Sequence, residues 1–211
     1  MRYEIRTNPI IPYHRSHITC EDMSTPSTPN PVKLVVSLIS RDKGLLTLAG
    51  RELSNKYGSI DFMSSHIPFT ETTYYQDEMG DSLVRRFVTF EKLIEPDNLP
   101  VVKRWTDSLE SRHKNGEGKR KINCDPGYIA LQHLILATNK NYAHRPYLGE
   151  GVYANLTLIF KKKSFQPLEW TYPDYGSKEI IEIMNRLRER YWGQLKESKD
   201  STLQEDTVLD S

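Results

Sequence analysis

The run Val32-Lys-Leu-Val-Val-Ser-Leu-Ile39 constrains this chain more than any other stretch. It is nearly continuous in apolar character and rich in β-branched residues, and it has the length of one strand. A strand covered on both faces reads this way, whereas a half-exposed one alternates. The rest of the chain must therefore build a sheet around it. Asp42 is placed to cap a following helix in which Leu45, Leu46, Leu48, Ala49 and Leu53 recur at helical spacing, and Tyr57-Gly58 supplies its stop. A strand is expected over Ile60 to Phe69, ended or forced to an edge by Pro68, and another over Leu83 to Leu93. In the latter Phe87, Thr89 and Glu91 face one way and Val88, Phe90 and Lys92 the other.

Pro96, Asp97 and Pro100 introduce a helix to about His113, with Leu99, Val102, Trp105 and Leu109 on its apolar stripe. Lys119 to Cys124 reads as a short strand and Asp125-Pro-Gly127 as a turn. Tyr128 to Ala137 is expected as a helix, with a strand as the alternative, because both periods fit a short apolar run. Gly151 to Lys161 alternates as a strand and turns at Lys161-Lys-Lys163 into a second over Phe165 to Trp170. A final amphipathic helix carries Ile180, Ile181, Met184, Leu187 and Tyr191 on one stripe. The order predicts an α+β fold: a ferredoxin-like split β-α-β core with a mixed sheet and helices mainly on one face, extended by a C-terminal hairpin and helix.

The apolar share, 37% of 211 residues, is low for a globular chain, and the polar excess gathers at the ends. Residues 1–31 read as a disordered extension, 32–195 as a single globular domain and 196–211 as a solvated, disordered tail. Met23 heads a polar leader just before the first strand and is a candidate for the true start. A formal charge of +1 argues against a wholly nucleic-acid-binding or membrane-binding surface. No apolar run approaches the roughly 20 residues of a spanning helix. Cys20 and Cys124 form no CxxC pair, so a cytoplasmic, reducing setting is expected, without a zinc ribbon.

Several blocks recur together: Pro31-Val-Lys-Leu-Val-Val-Ser-Leu-Ile39, Tyr57-Gly-Ser-Ile-Asp61, Tyr74-Tyr-Gln-Asp-Glu-Met-Gly80 and Arg85-Arg-Phe-Val-Thr-Phe-Glu91. They are followed by Asn123-Cys-Asp-Pro-Gly-Tyr128, Leu136-Ala-Thr-Asn-Lys-Asn-Tyr-Ala-His-Arg145, Tyr147-Leu-Gly-Glu-Gly-Val-Tyr153 and Phe165-Gln-Pro-Leu-Glu-Trp-Thr-Tyr-Pro-Asp-Tyr175. In this order they resemble the bacterial family called domain of unknown function 4416, over residues 31 to 195. Members of that family generally begin near the first strand, which favours a start at Met23. The resemblance implies no activity, cofactor or catalytic residue.

No Walker loop, GxGxxG strand-turn-helix, HExxH, paired HxT or GxSxG motif is present, which sets aside P-loop, Rossmann, zincin, two-histidine phosphoesterase and α/β-hydrolase chemistry. No metal site is expected, and no cofactor is indicated. Asn139-Lys-Asn-Tyr-Ala-His-Arg-Pro-Tyr147 is the most informative segment. It gathers Lys140, His144, Arg145 and Tyr147, a set able to hold a phosphate or carboxylate between a guanidinium fork and aromatic flanks. The structural alternative is a rigid crossover whose tyrosines plug the core and whose cations stay in water. Asp125, His144 and Glu78 are the candidates for proton transfer, although Asp before Pro-Gly also suits a plain turn. Tyr74 and Trp170 are candidate ligand-stacking residues, against a default of packing. Arg85 and Arg86 point to opposite faces of their strand, so at most one can join a site, and a surface ion pair is the default. The leading expectation is a protein that binds a phosphorylated or nucleotide-like small ligand, as an enzyme or without turnover. The alternative is an RNA- or protein-binding module using segment 170–175 and the basic hairpin at Lys161 to Lys163.

Overall fold

The computed structural model describes residues 26–70 and 76–209, and in these residues the run at 32–39 becomes an inner strand of an open sheet. The elements are β1 (Lys33–Ser40), α1 (Lys43–Tyr57), β2 (Ile60–Met63), β3 (Ile67–Pro68), the single turn α2 (Gln76–Met79), β4 (Val84–Phe90), a 3₁₀ turn at Pro96–Asn98 and α3 (Leu99–Arg112). They continue with β5 (Asn123–Ile129), β6 (His133–Thr138), β7 (Tyr147–Gly149), β8 (Val152–Lys161), β9 (Ser164–Pro167) and α4 (Lys178–Leu209). The main path of the nine-stranded sheet is β2-β4-β1-β5-β6-β8-β7, with β3 on β4 and β9 on β8. Among the described residues no helix is long and apolar enough to cross a membrane. The readings of residues 1–25, including the Met23 start, lie outside the described residues, and α4 continues beyond residue 195.

Every residue of β1 is buried because both of its faces are covered. Leu34, Val36 and Leu38 pack with Leu46, Ala49 and Leu53 of α1 and Val102 and Leu109 of α3. The alternate residue Val35 joins Phe87, Ile129 and Leu134 against Ile180, Ile183, Met184 and Leu187 of α4. The two-residue period of a strand thus divides one apolar run between two cores. Asp42 caps α1 as its position predicts, its Oδ1 accepting from the amides of Gly44 (2.8 Å) and Leu45 (3.0 Å). Gly58 ends that helix at φ 98°, a conformation that costs glycine little. On the α4 side the buried Lys33 donates to the Asp61 carboxylate, to Phe90 O at 2.6 Å and to Gln194 Oε1 at 2.8 Å, fastening α4 across three strands.

A mixed sheet with helices mainly on one face was the sequence expectation; every described pairing is instead antiparallel. The α1 crossover does bring β2 back in the direction of β1, but β4 occupies the slot between them, so the two never share a ladder. Helices α1 and α3 share one face, and α4 takes the other.

Two further expectations are corrected around β5. Residues 128–137 form no helix; they are the end of β5 and all but the last residue of β6, joined by a short turn in which the Ala130 amide donates to His133 O. Buried neighbours on both faces make the run apolar throughout, which hides the strand period. Asp125-Pro-Gly127 is not a turn but lies within β5, where Ser37, Val36 and Val35 of β1 pair with Asp125, Pro126 and Gly127. Its turn chemistry serves another purpose. The β5–β6 ladder begins only at Gly127↔Leu136. Before that pair β5 continues on β1 alone, and past it β6 continues on β8 alone through Ala137 and Thr138. The sheet forks there. Pro126, which has no amide hydrogen, stands where the ladder stops, and Gly127 allows the closest approach of β6.

A Cβ on Gly127 would lie 2.3 Å from Ile135 O and 2.7 Å from Leu136 Cδ2. Gly127→Ala is therefore expected to destabilise the fold by about 3 kcal/mol, since a backbone atom must shift. Urea denaturation of the variant beside wild type measures it.

Candidate functional site

Between the parted ends of β5 and β6 lies a cavity of about 730 Å³. Five cations line it among the described residues: Arg85 of β4, Lys103 of α3, and Lys114, Arg120 and Lys140 from connections. Five carboxylates face them: Glu78, Asp107, Glu110, Asp125 and Asp174. The formal charge of this lining is zero.

The α3 side is tightly paired. Glu110, 5% exposed, accepts the Cys124 amide of β5 at 2.7 Å and Arg120 Nη1 at 3.0 Å. A side-chain carboxylate thus takes a β5 amide at a position where β6 has already departed. Arg120 also forks onto Glu78, Nε to Oε1 at 2.8 Å and Nη2 to Oε2 at 2.7 Å, which holds the Glu78 carboxyl below its ordinary value. Lys103 Nζ lies 2.8 Å from Asp107 Oδ1. Burial opposes its charge, but Asp125, Glu110 and Asp107 together keep its pKa above the usual lysine value. Burial pushes Glu110 up, against Lys103, the Cys124 amide and Arg120. Cys124 itself is fully buried, and burial raises its thiol pKa well above the ordinary value, so it is not a ready nucleophile.

The opposite wall is less satisfied. Arg85, 3% exposed, is ringed by Phe69, Phe87 and Tyr175, with its Cζ 4.6, 5.5 and 5.0 Å from their centroids. Its Nη1 lies 2.5 Å from Asp174 Oδ2, an ion contact without hydrogen-bond geometry, and both Nε and Nη1 lack an acceptor. The buried hydroxyls of Ser37 and Tyr175 also find no partner. The two hydroxyls are neighbours, and burial drives the Tyr175 phenol far above its usual pKa. Register puts these groups together: Ile39↔Arg85, Ser37↔Phe87 and Ser37↔Asp125 place Arg85, Ser37 and Asp125 on one face of three adjacent strands.

Of the residues singled out from the sequence, Asp125, Glu78 and Lys140 line this one cavity. His144 and Arg145 stand behind its wall. His144 Nε2 and Arg145 Nε reach Oδ1 of the lining residue Asn155 at 3.1 and 3.3 Å. Arg145 commits its other nitrogens to Lys140 O (3.2 Å) and Tyr172 Oη (3.1 Å), bracing the rim. Trp170 stacks on His144 at 4.9 Å and donates Nε1 to Leu156 O. Tyr147 lies apart from the lining, exposed, its hydroxyl accepting the Gly151 amide. Tyr74 falls outside the described residues. The lysines of 161–163 are exposed on the β8–β9 turn, Lys162 and Lys163 at positive φ.

Sequence reading missed Lys103, Asp107, Glu110 and Arg120, passed over Arg85, and took in Asp174 and Tyr175 only as part of segment 170–175. A usable signal existed for three of them. Positions 103, 107 and 110 recur at helical spacing beside the apolar stripe of α3, so a charged band borders a buried one. Residues 30–191, which include every lining residue, match a family described as a domain of unknown function (DUF4416). No curated protein and no solved structure matches the chain.

Because the folded pKa of Glu78 is depressed, its contribution to stability is present above the unfolded carboxyl value and lost as pH falls through the folded one. Glu78→Gln is expected to lower Tm at pH 7 by about 2–4 °C, equivalent to about 1 kcal/mol for a partly exposed pair. The gap should close when thermal melts are repeated at decreasing pH below 4.5.

Proposed function

The chain belongs to the DUF4416 family, a domain of unknown function, and we propose that it binds a small anionic ligand, phosphorylated or nucleotide-like, in the cavity at the fork of the sheet. Arg85 is the anion-holding residue in this reading, with Ser37 and Tyr175 beside it; Lys140 and the Arg145-braced rim form the entrance. The observation that carries the reading is a set of four buried donor atoms outside any hydrogen bond, Arg85 Nε and Nη1, Ser37 Oγ and Tyr175 Oη, of which Nη1 alone has a carboxylate, that of Asp174, in ion contact. They are four of the five such side-chain atoms among the described residues; the fifth, Tyr57 Oη, sits in the other core. An unmet buried polar group costs about 1–3 kcal/mol, a sizeable share of a domain's net stability of roughly 5–15 kcal/mol. Arg85 and Tyr175 line the cavity, and Ser37 lies on the same face of the sheet outside the lining; an acceptor-rich group that enters there offsets part of that cost, which favours binding.

The strand order β2-β4-β1-β5, with α1 and α3 on one face, supports reading the first half as a ferredoxin-like split β-α-β core. Strands β6 to β9 and α4 are then the addition, and the cavity lies at the seam between the two. A buried Cys124 free of any disulfide supports a reducing, cytoplasmic setting.

Thermal unfolding with inorganic phosphate, a sugar phosphate and a nucleoside diphosphate tests the proposal. A bound ligand at about 100 times its Kd should raise Tm by about 5–10 °C. Ser37→Ala deletes one orphaned donor without leaving a charge behind; its unliganded Tm should match or exceed that of wild type while the ligand shift shrinks. Arg85→Met combined with Asp174→Asn should abolish the shift. No shift with any of the three phosphates, nor with an amine-bearing phosphate, overturns the reading.

A further inference from the structure

Asp125 is the partner of Ser37 across the β1–β5 ladder, one strand from that hydroxyl and two from Arg85. Its Oδ2 accepts Asn123 Nδ2 at 2.6 Å, while Oδ1 has no hydrogen bond and neither oxygen has a cation in ion-pair range among the described residues. Lys103, the cation whose field couples to Asp125, is already held by Asp107 at 2.8 Å. The cavity therefore presents two groups of opposite kind: a donor cluster around a guanidinium, and a carboxylate oxygen open to a donor. Its lining is neutral, five cations against five carboxylates. A ligand bringing only negative charge would leave that charge uncompensated in a largely buried site, at a cost that grows with each charge.

Building on the anion reading above, we propose that the ligand is zwitterionic: an organic phosphate carrying an ammonium group, with the phosphate on Arg85, Ser37 and Tyr175 and the ammonium on Asp125 Oδ1. Adjacent strands lie about 4.8 Å apart, so Asp125 stands one spacing from Ser37 and two from Arg85 on β4, and a linker of at least about two carbons is needed between phosphate and amine. Asp125 is then a specificity residue, selecting against phosphates that lack the amine.

Titration calorimetry of the full chain with O-phosphoethanolamine and with ethyl phosphate, at equal ionic strength, tests this. The pair differ in the amine and little else. Wild type should bind phosphoethanolamine at least about tenfold more tightly. Asp125→Asn, with its unliganded Tm as the check on folding, should bring the two affinities level by weakening phosphoethanolamine alone. Ser37→Ala should weaken both alike. Equal affinities in wild type overturn the zwitterion and leave the anion reading standing; binding of neither compound overturns both. Equal weakening of both ligands by Asp125→Asn also overturns the role given to Asp125, and the wild-type comparison stands whether or not that variant folds.

Discussion

Pairing between β5 and β6 stops at Gly127↔Leu136, and the cavity exists because it stops there. Both strands continue past that point, each on its outer neighbour, so the gap is framed by backbone that remains anchored in ladders. A proline that cannot donate and a glycine that admits the neighbouring carbonyl are adjacent at the fork, and their order matters. Contact is tightest on the turn side of Gly127 and absent on the other. Such a gap holds its shape better than one framed by loops, because moving either rim means breaking ladder hydrogen bonds.

The fork also explains how so many charges stay inside one layer of the molecule. Lys103, Glu110 and Asp107 come from α3, which otherwise buries an apolar stripe against the sheet, while Arg85, Asp174 and Asp125 belong to the other face. Closing the sheet would force each set against hydrophobic side chains, where a lone ion costs several kcal/mol. Parting it lets Arg120 bridge Glu78 and Glu110 and lets Lys103 pair with Asp107 within the field of Asp125 and Glu110. The pairing is uneven. It is dense beside α3 and sparse around Arg85.

Much of the fold is legible in local sequence. The β1 run, the Asp42 cap, the Gly58 stop and the lysine turn between β8 and β9 carry their reasons within a few residues of themselves. Residues 128–137 do not, since a run apolar on both faces satisfies either period and its conformation depends on β1 and β8, which lie far away in the chain. Asp125-Pro-Gly127 misleads for a related reason: the properties that make a turn also make a fork, and the choice rests on whether a neighbouring strand is present. The site was legible as residue types and not as a place. Asp125, Glu78 and Lys140 could be singled out, yet their convergence depends on the β4–β1–β5 register. Arg85 and Arg86 are locally indistinguishable; one is buried under Tyr175 while the other gives its Nε to Ser64 O. No local pattern says which face of β4 will be roofed.

An unpaired stretch of strand inside a cavity is ordinarily a template on which any extended peptide can add itself. Here Glu110 occupies that position with a carboxylate, accepting the Cys124 amide as a neighbouring strand's carbonyl would. An incoming chain would have to bring its own electron-rich carbonyls against this buried anion and displace a bond only 2.7 Å long. The same side chain therefore completes the edge of β5, and a strand could add itself there only by first breaking this bond.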